Sequence, residues 1–248
     1  MAFSAFEQFE ILRLVPLGIG KFDISITNST VYMALAVIYW VILYKANVEK
    51  GGLVPSRWQS VVELVYEAMY DVVKDNIGKD GLKYLPFILT IFMFIGMMNI
   101  VGIVPYTFTP TSHIVVTFGM SLSIFIGVTL LGFRIHGSEY LSMFMPGGSP
   151  MVMAPFLVII ELVSHFAKAI SLGVRLAANI IAGHLLFAIL SGFTWTMLTA
   201  GGLIAVASIF PLFIVLFITT LEMGVALIQA YVFTTLTSIY ISESEHLH

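Results

Sequence analysis

Two apolar stretches in the C-terminal half, about 151–192 and 203–241, constrain this chain more than any other feature. A helix of about 40 residues would be roughly 60 Å long. That is about twice the ~30 Å hydrocarbon core of a bilayer. Upright helices of that length would protrude on both sides with apolar surface. They are therefore expected to form a hairpin of two strongly tilted, curved or broken helices. The turn would lie at Ala200-Gly201-Gly202, with Pro155 and Pro211 as bending points.

The first stretch contains a charge. Arg175 stands in the middle of SLGVRLAANIIAGH, residues 171–184. A guanidinium keeps its charge at any physiological pH, and placing one at mid-membrane costs about 2.5–3.5 kcal/mol on insertion scales. Apolar sequence continues for fifteen residues beyond it, which argues against an arginine snorkelling from a helix end. On a helix Glu161, His165, Lys168, Leu172, Arg175, Asn179 and Ala182 share one stripe. Ser171, Ala178 and Ala182 border Arg175, and small residues admit close approach of another helix in lipid. The pattern points to a charge presented to a docking or sliding partner.

Composition agrees with a membrane setting. Of 248 residues 59% are hydrophobic and 10% charged, against roughly 25% charged in soluble domains. The expectation is an all-α polytopic membrane protein, a single membrane domain over 1–248. Net charge is −3 with no basic cluster, so nucleic acid is not an expected partner. The absence of cysteine excludes disulfides and cysteine-ligated metals. No phosphate-binding GxxxxGK[ST] motif occurs, so direct ATP binding is not expected.

Residues 1–27 read as a short interfacial segment. Their start, MAFSAFEQFEILRL, has Glu7 and Glu10 and no basic region of the signal-peptide kind. Asn28-Ser29-Thr30 matches a glycosylation sequon but abuts a span. Residues 30–44 form a first transmembrane helix flanked by Tyr39, Trp40 and Tyr44. Residues 45–83 hold six of the eleven Lys and Arg. Within them 55–77 is amphipathic, with Trp58, Val61, Val62, Val65, Met69, Val72 and Val73 on one face. It suits the membrane surface or, equally, a soluble partner. A hairpin over 82–133 supplies the second and third spans, joined by the uncharged PYTFTPTS. By the positive-inside rule 45–83 and Arg134 face the cytoplasm-equivalent side, and the 105–112 turn the other. A short segment, Glu139 to Met145, and the break PGGSP precede the long hairpin, 151–241.

The second long helix carries Glu222, Gln229 and Glu243. In an antiparallel register His184 falls opposite Glu222, Arg175 opposite Gln229, and Glu161 opposite Glu243. Carboxylates and imidazoles exchange protons, whereas arginine does not usefully release one. Two titratable clusters separated by a fixed positive charge would block a continuous proton wire. Protons would then cross only on a carrier that moves past Arg175.

At SLGVRLAANIIAGH, and again at LEMGVALIQAYVFTTLTSIY, the chain resembles subunit a of the F-type ATP synthase, with a mitochondrial order of acid and imidazole. The resemblance spans nearly the whole chain. It implies two aqueous half-channels and a rotating ring of c-subunits whose carboxylate meets Arg175. By position His184, Glu222, Asn179 and Gln229 match the inlet half-channel. Glu161 matches the outlet, where Glu243 stands for a family aspartate and His165 is a further candidate. The implied partners are the c-ring, other Fo stator and peripheral-stalk subunits, protons and lipid, with no cofactor and no metal. The implied location is the mitochondrial inner membrane. Lys168 and His165 fit headgroup or subunit contacts as well as proton transfer. His113 and His136 stand at span ends and read as interfacial.

Three other readings are open. A self-contained secondary transporter would show an internal repeat, and 45–83 has no later counterpart. A sodium-coupled rotary subunit would hold its ion mostly on the ring. A non-conducting assembly subunit leaves Arg175 without a role.

Overall fold

The computed structural model describes residues 10–16, 18–19, 22–23, 25–48, 56–103, 107–144 and 154–245. Residues 1–9 and the PGGSP break therefore lie outside the described residues, as do parts of the 45–83 and 105–112 segments. Among the described residues four helical stretches are long and apolar enough to cross a membrane: Lys79–Ile103, Ile114–Leu141, Pro155–Ala200 and Ile204–Glu245. Large side chains such as Phe156, Phe193, Trp195, Phe210, Phe213 and Phe217 are more than 60% exposed. Apolar surface on this scale needs lipid or protein to cover it. The molecule is an all-α polytopic membrane protein apart from two short strand pairs.

The chain divides into two compact units. The first comprises Met1–Leu43, Met93–His113 and Leu176–Ala230. The second comprises Tyr44–Phe92, Ile114–Arg175 and Tyr231–His248.

The N-terminal segment of the first unit differs from expectation. Strand β1 (Arg13–Val15) pairs antiparallel with β4 (Ile26–Thr27), and β2 (Gly18–Ile19) with β3 (Phe22–Asp23). Pro16, Gly18 and Gly20 disfavour a helix here. Asn28 fixes the strands to helix α1 (Asn28–Val48): its side chain donates to the Glu10 carbonyl at 3.0 Å and accepts from the Leu12 N–H at 3.3 Å. Helix α1 carries an uncharged apolar run, residues 31–44, between Asn28-Ser29-Thr30 and Lys45.

The second unit is organised by α2 (Arg57–Asn76), close to the expected 55–77. Ser56 caps it by accepting from the Gln59 N–H. The predicted apolar face splits along its length. Trp58 and Val61 are exposed, while Met69, Val72 and Val73 enter a cluster with Ile77, Leu85, Ile88, Val128 and Ile241. These last come from α3 (Leu85–Ile103), α4 (Ile114–His136) and α7 (Ile209–Glu245), so half of α2 is a packed helix of the protein.

The two long stretches form α5 (Ala154–Ala200, 47 residues) and α7 (37 residues), with a short α6 (Gly202–Ala207) between. Gly201 and Gly202 have φ of 72° and 61° and make the expected turn. Pro155 is the second residue of α5, where its missing N–H is tolerated. Pro211 is the third residue of α7 and follows the break between α6 and α7 at Ser208, because it lacks the N–H that would reach the Ala207 carbonyl and carry the helix through. Helix α5 runs unbroken throughout. Where a short segment is expected from Glu139 to Met145, a 3-10 helix covers Gly137–Phe144, and Met145 lies outside the described residues.

Within the second unit α4 is held against α5 and α7 by polar contacts with backbone. The Ser121 hydroxyl donates to the Ala169 carbonyl, and that of Ser244 to the Val128 carbonyl. Gly173 allows the closest approach. A Cβ there would lie 2.9 Å from the Phe118 Cα and 3.0 Å from the Thr117 carbonyl oxygen.

Candidate functional site

The first unit gathers a buried polar cluster from α5, α7 and the end of α3. His184 Nε2 lies 3.8 Å from Glu222 Oε1. The pair depends on the residue before His184: a Cβ on Gly183 would come within 2.6 Å of the same carboxylate oxygen. Glycine thus lets Glu222, only 8% exposed, lie against the α5 backbone. The Asn179 amide donates to Gln229 Oε1 at 2.9 Å. Asn99, 1% exposed, donates to the Ala226 carbonyl at 3.1 Å. Glu222 Oε1, Gln229 Nε2 and Asn99 Oδ1 are buried without a hydrogen-bond partner among the described residues. Such atoms are the ones ordered water serves in proteins.

Thr109 joins this cluster, its hydroxyl 3.2 Å from His184 Nε2. Thr109 stands 75 positions from His184, within a stretch readable only as an uncharged turn. No periodicity links the two. Gly183 was legible in principle, standing inside the motif, but nothing in one sequence separates it from the other small residues there.

The second unit holds Arg175. Its side chain is exposed and makes one long hydrogen bond, 3.4 Å, to the Ser171 hydroxyl. Among the described residues no carboxylate pairs with it. Leu172, expected on the same stripe, is 1% exposed, so the boundary of the buried face of α5 falls between these two residues.

Glu243 receives Lys168, whose Nζ lies 3.0 and 2.9 Å from its two carboxylate oxygens. The Lys168 ammonium also lies 5.8 Å from the centre of the Tyr240 ring. Lys168 is seven residues, or about 10 Å of helix, beyond Glu161. His165 is buried, its ring tilted on Phe125 at 4.8 Å, and Glu161, Lys168 and Glu243 are all within electrostatic reach of it.

The other two histidines among the described residues have structural partners. His136 Nε2 contacts the Glu245 carbonyl at 3.0 Å. His113 stacks on Phe108 at 5.1 Å, and burial holds its pKa below the ordinary value.

A protein-family model described as ATP synthase A chain matches residues 28–242. "ATP synthase subunit a" of Metridium senile is 50% identical over 248 residues, covering all of both chains. The protein of that name from Marchantia polymorpha is 44% identical, again over the whole of both. That of Parvibaculum lavamentivorans is 44% identical over 96% of this chain and 92% of its own. With the apolar helices and the polar set along α5 and α7, this extent of likeness decides the matter: the chain belongs to the ATP synthase A chain family.

Proposed function

We propose that the chain is the proton-translocating stator subunit of an F-type ATP synthase in the mitochondrial inner membrane. It is not catalytic alone. It loads and unloads protons on the carboxylates of a rotating c-ring through two offset aqueous half-channels, with Arg175 separating them. Helix α1 is a further span, and the N-terminal half of α2 lies at the membrane surface. Other Fo stator and peripheral-stalk subunits cover the remaining apolar faces.

The observation that carries this is Arg175: an exposed, always-charged side chain, on a predominantly apolar 47-residue helix, with no carboxylate paired to it among the described residues. A charge in that position needs an anionic partner, and a ring carboxylate supplies one. Burial favours the neutral form of such a carboxylate, while a nearby cation lowers its pKa by roughly 1–3 units. Arg175 therefore favours release of the rotor's proton where it passes, and repels protons that would leak directly between the half-channels. Each proton crossing gains about 2.3 kcal/mol per 100 mV, so such a leak would dissipate the drive for rotation.

His184 and Glu222 serve the inlet with Asn179 and Gln229; Glu222 Oε1 and Gln229 Nε2, buried without a partner among the described residues, are suited to bind entering water. Glu161 and Glu243 serve the outlet with His165. Lys168 fixes the Glu243 carboxylate, which leaves Glu161 as the more available proton acceptor.

Replacement of Arg175 tests the proposal in the assembled complex. Arg175→Ala is expected to abolish coupled ATP synthesis without loss of assembly. Arg175→Lys is expected not to restore it, because lysine can deprotonate when buried and lacks the planar fork. Wild-type synthesis by an assembled Arg175→Ala complex would make the charge structural.

A further inference from the structure

The buried hydroxyl of Thr109 touches the histidine of the inlet pair, and its other hydrogen bond determines what it can do there. Thr109 is 4% exposed, and its Oγ1 lies 3.1 Å from the Gly102 carbonyl oxygen. That carbonyl is in the last turn of α3, and Gly102 is buried. The neighbouring Val101 carbonyl is served likewise by the Thr107 hydroxyl at 2.7 Å. Thr109 is itself held firmly, its carbonyl accepting from both the N–H and the hydroxyl of Ser112. A carbonyl only accepts, so the single Thr109 proton goes to Gly102. At the 3.2 Å contact with His184, Thr109 must then accept, and His184 Nε2 must carry the hydrogen.

We infer that Thr109 is a positioning residue that holds neutral His184 as its Nε2–H tautomer, so that the nitrogen facing Glu222 is the one that donates. The inference rests on the proposed inlet role of this pair. Glu222 Oε1, 3.8 Å from that nitrogen, is buried and lacks a donor among the described residues. A small movement of the ring supplies one. Transfer then has a direction: a proton from hydronium in the inlet bonds to Nδ1, the Nε2–H bond breaks, and an O–H bond forms on Glu222. The ring is left neutral with its hydrogen on Nδ1. The cycle closes when Nδ1 releases its proton to water and Nε2 takes one up from water, a return favoured because a bare Nε2 would face a hydroxyl already committed to Gly102.

The test uses the intact complex with 15N-labelled histidine. His184 resonances are identified by their loss in His184→Gln. In the unaltered protein they should report hydrogen on Nε2; hydrogen on Nδ1 would overturn the inference without any Thr109 variant. Thr109→Val should shift the signal toward the other tautomer and slow ATP-driven proton pumping roughly three- to tenfold, the scale of one net hydrogen bond. Thr109→Ser, which keeps the hydroxyl, should restore both. An unchanged tautomer in Thr109→Val, or failure of serine to rescue, would reduce Thr109 to packing. A shifted tautomer with unchanged pumping would instead remove the His184–Glu222 pair from the proton path.

Discussion

Replacing Gly173 by alanine probes how closely the helix carrying Arg175 is seated. The added Cβ would stand 2.9 Å from the Phe118 Cα, 3.0 Å from the Thr117 oxygen and 3.2 Å from the Phe118 nitrogen. All three are backbone atoms of α4, so no side chain can rotate out of the way. Ordinary contact between such atoms needs about 3.5 Å or more, so α4 and α5 must separate locally by roughly half an ångström. Overpacking of this kind costs about 1–3 kcal/mol. The Ser121 bond to the Ala169 carbonyl, about one turn along α5, stretches with it. Gly119 is the control, because a Cβ there meets nothing within 4 Å. The assay is thermal release of the subunit from purified complex, compared between Gly173→Ala and Gly119→Ala. Gly173→Ala should lower the midpoint by several degrees and Gly119→Ala should leave it near the parent value. Equal midpoints would refute the close backbone approach, and with it the argument that glycine is needed there.

Four further outcomes are expected. Lys168→Met should destabilise the second unit by about 1–2 kcal/mol, between the values for exposed and buried pairs because both side chains are about one-third exposed; adding Glu243→Gln should recover part of that loss in a double-mutant cycle read by thermal release. Gly183→Ala should displace the Glu222 carboxylate from α5 and slow proton pumping more than it changes assembly, and an unaltered pumping rate would count against the contact. Labelling of cysteines introduced at Lys79 and Thr107 should find them on opposite sides of the membrane, 79 with the basic segment, and labelling from one side only would overturn the assignment from charge. Acidification should loosen the 107–113 turn. Burial lowers the His113 pKa below 6.5, so the unfolded segment binds more protons between the two values, and stability present at neutral pH declines as pH falls through that window; hydrogen exchange at the turn should show this, and His113→Gln should abolish it.

Much of the architecture was legible because a bilayer restricts backbone to a few solutions. The two 40-residue stretches, the turn at Gly201-Gly202 and helix α2 follow from apolar length, glycine and amphipathic period. Pro211 was legible as a breaking point and lies just past the interruption between α6 and α7, whereas Pro155 opens α5 as its second residue. The strands in 10–27 escaped notice because each is two or three residues long, too short for a period of two to show. At the site, the placement of His184 against Glu222 could be anticipated from an antiparallel register. The partner of Glu243 could not. A register of indices treats residues as equivalent points, whereas Lys168 reaches further than Glu161 and carries the charge that Glu243 attracts. Thr109 was invisible for a different reason: a turn has no period, and its position against His184 exists only in three dimensions.

The way polar contacts are distributed also determines how the functional tests are to be read. In lipid, burial of apolar surface does not drive helices together, and an interhelical polar contact is worth about 0.6 kcal/mol on average. The first unit has Asn99 to Ala226 and Asn179 to Gln229; the second has Ser121 to Ala169, Ser244 to Val128 and Lys168 to Glu243. Neither unit depends on one of these alone, and each also has tightly packed positions such as Ala177, Ala226 and Ala230, or Met69 and Ile88, all fully buried. Removing the Asn179 or Gln229 side-chain amide should therefore leave assembly nearly unchanged. A large loss of proton flux in an assembled Gln229→Leu complex would then measure chemistry at the site. Loss of assembly proportional to the loss of flux would instead show that the amide pair holds α5 and α7 together in the first unit, and that its part in conduction is indirect.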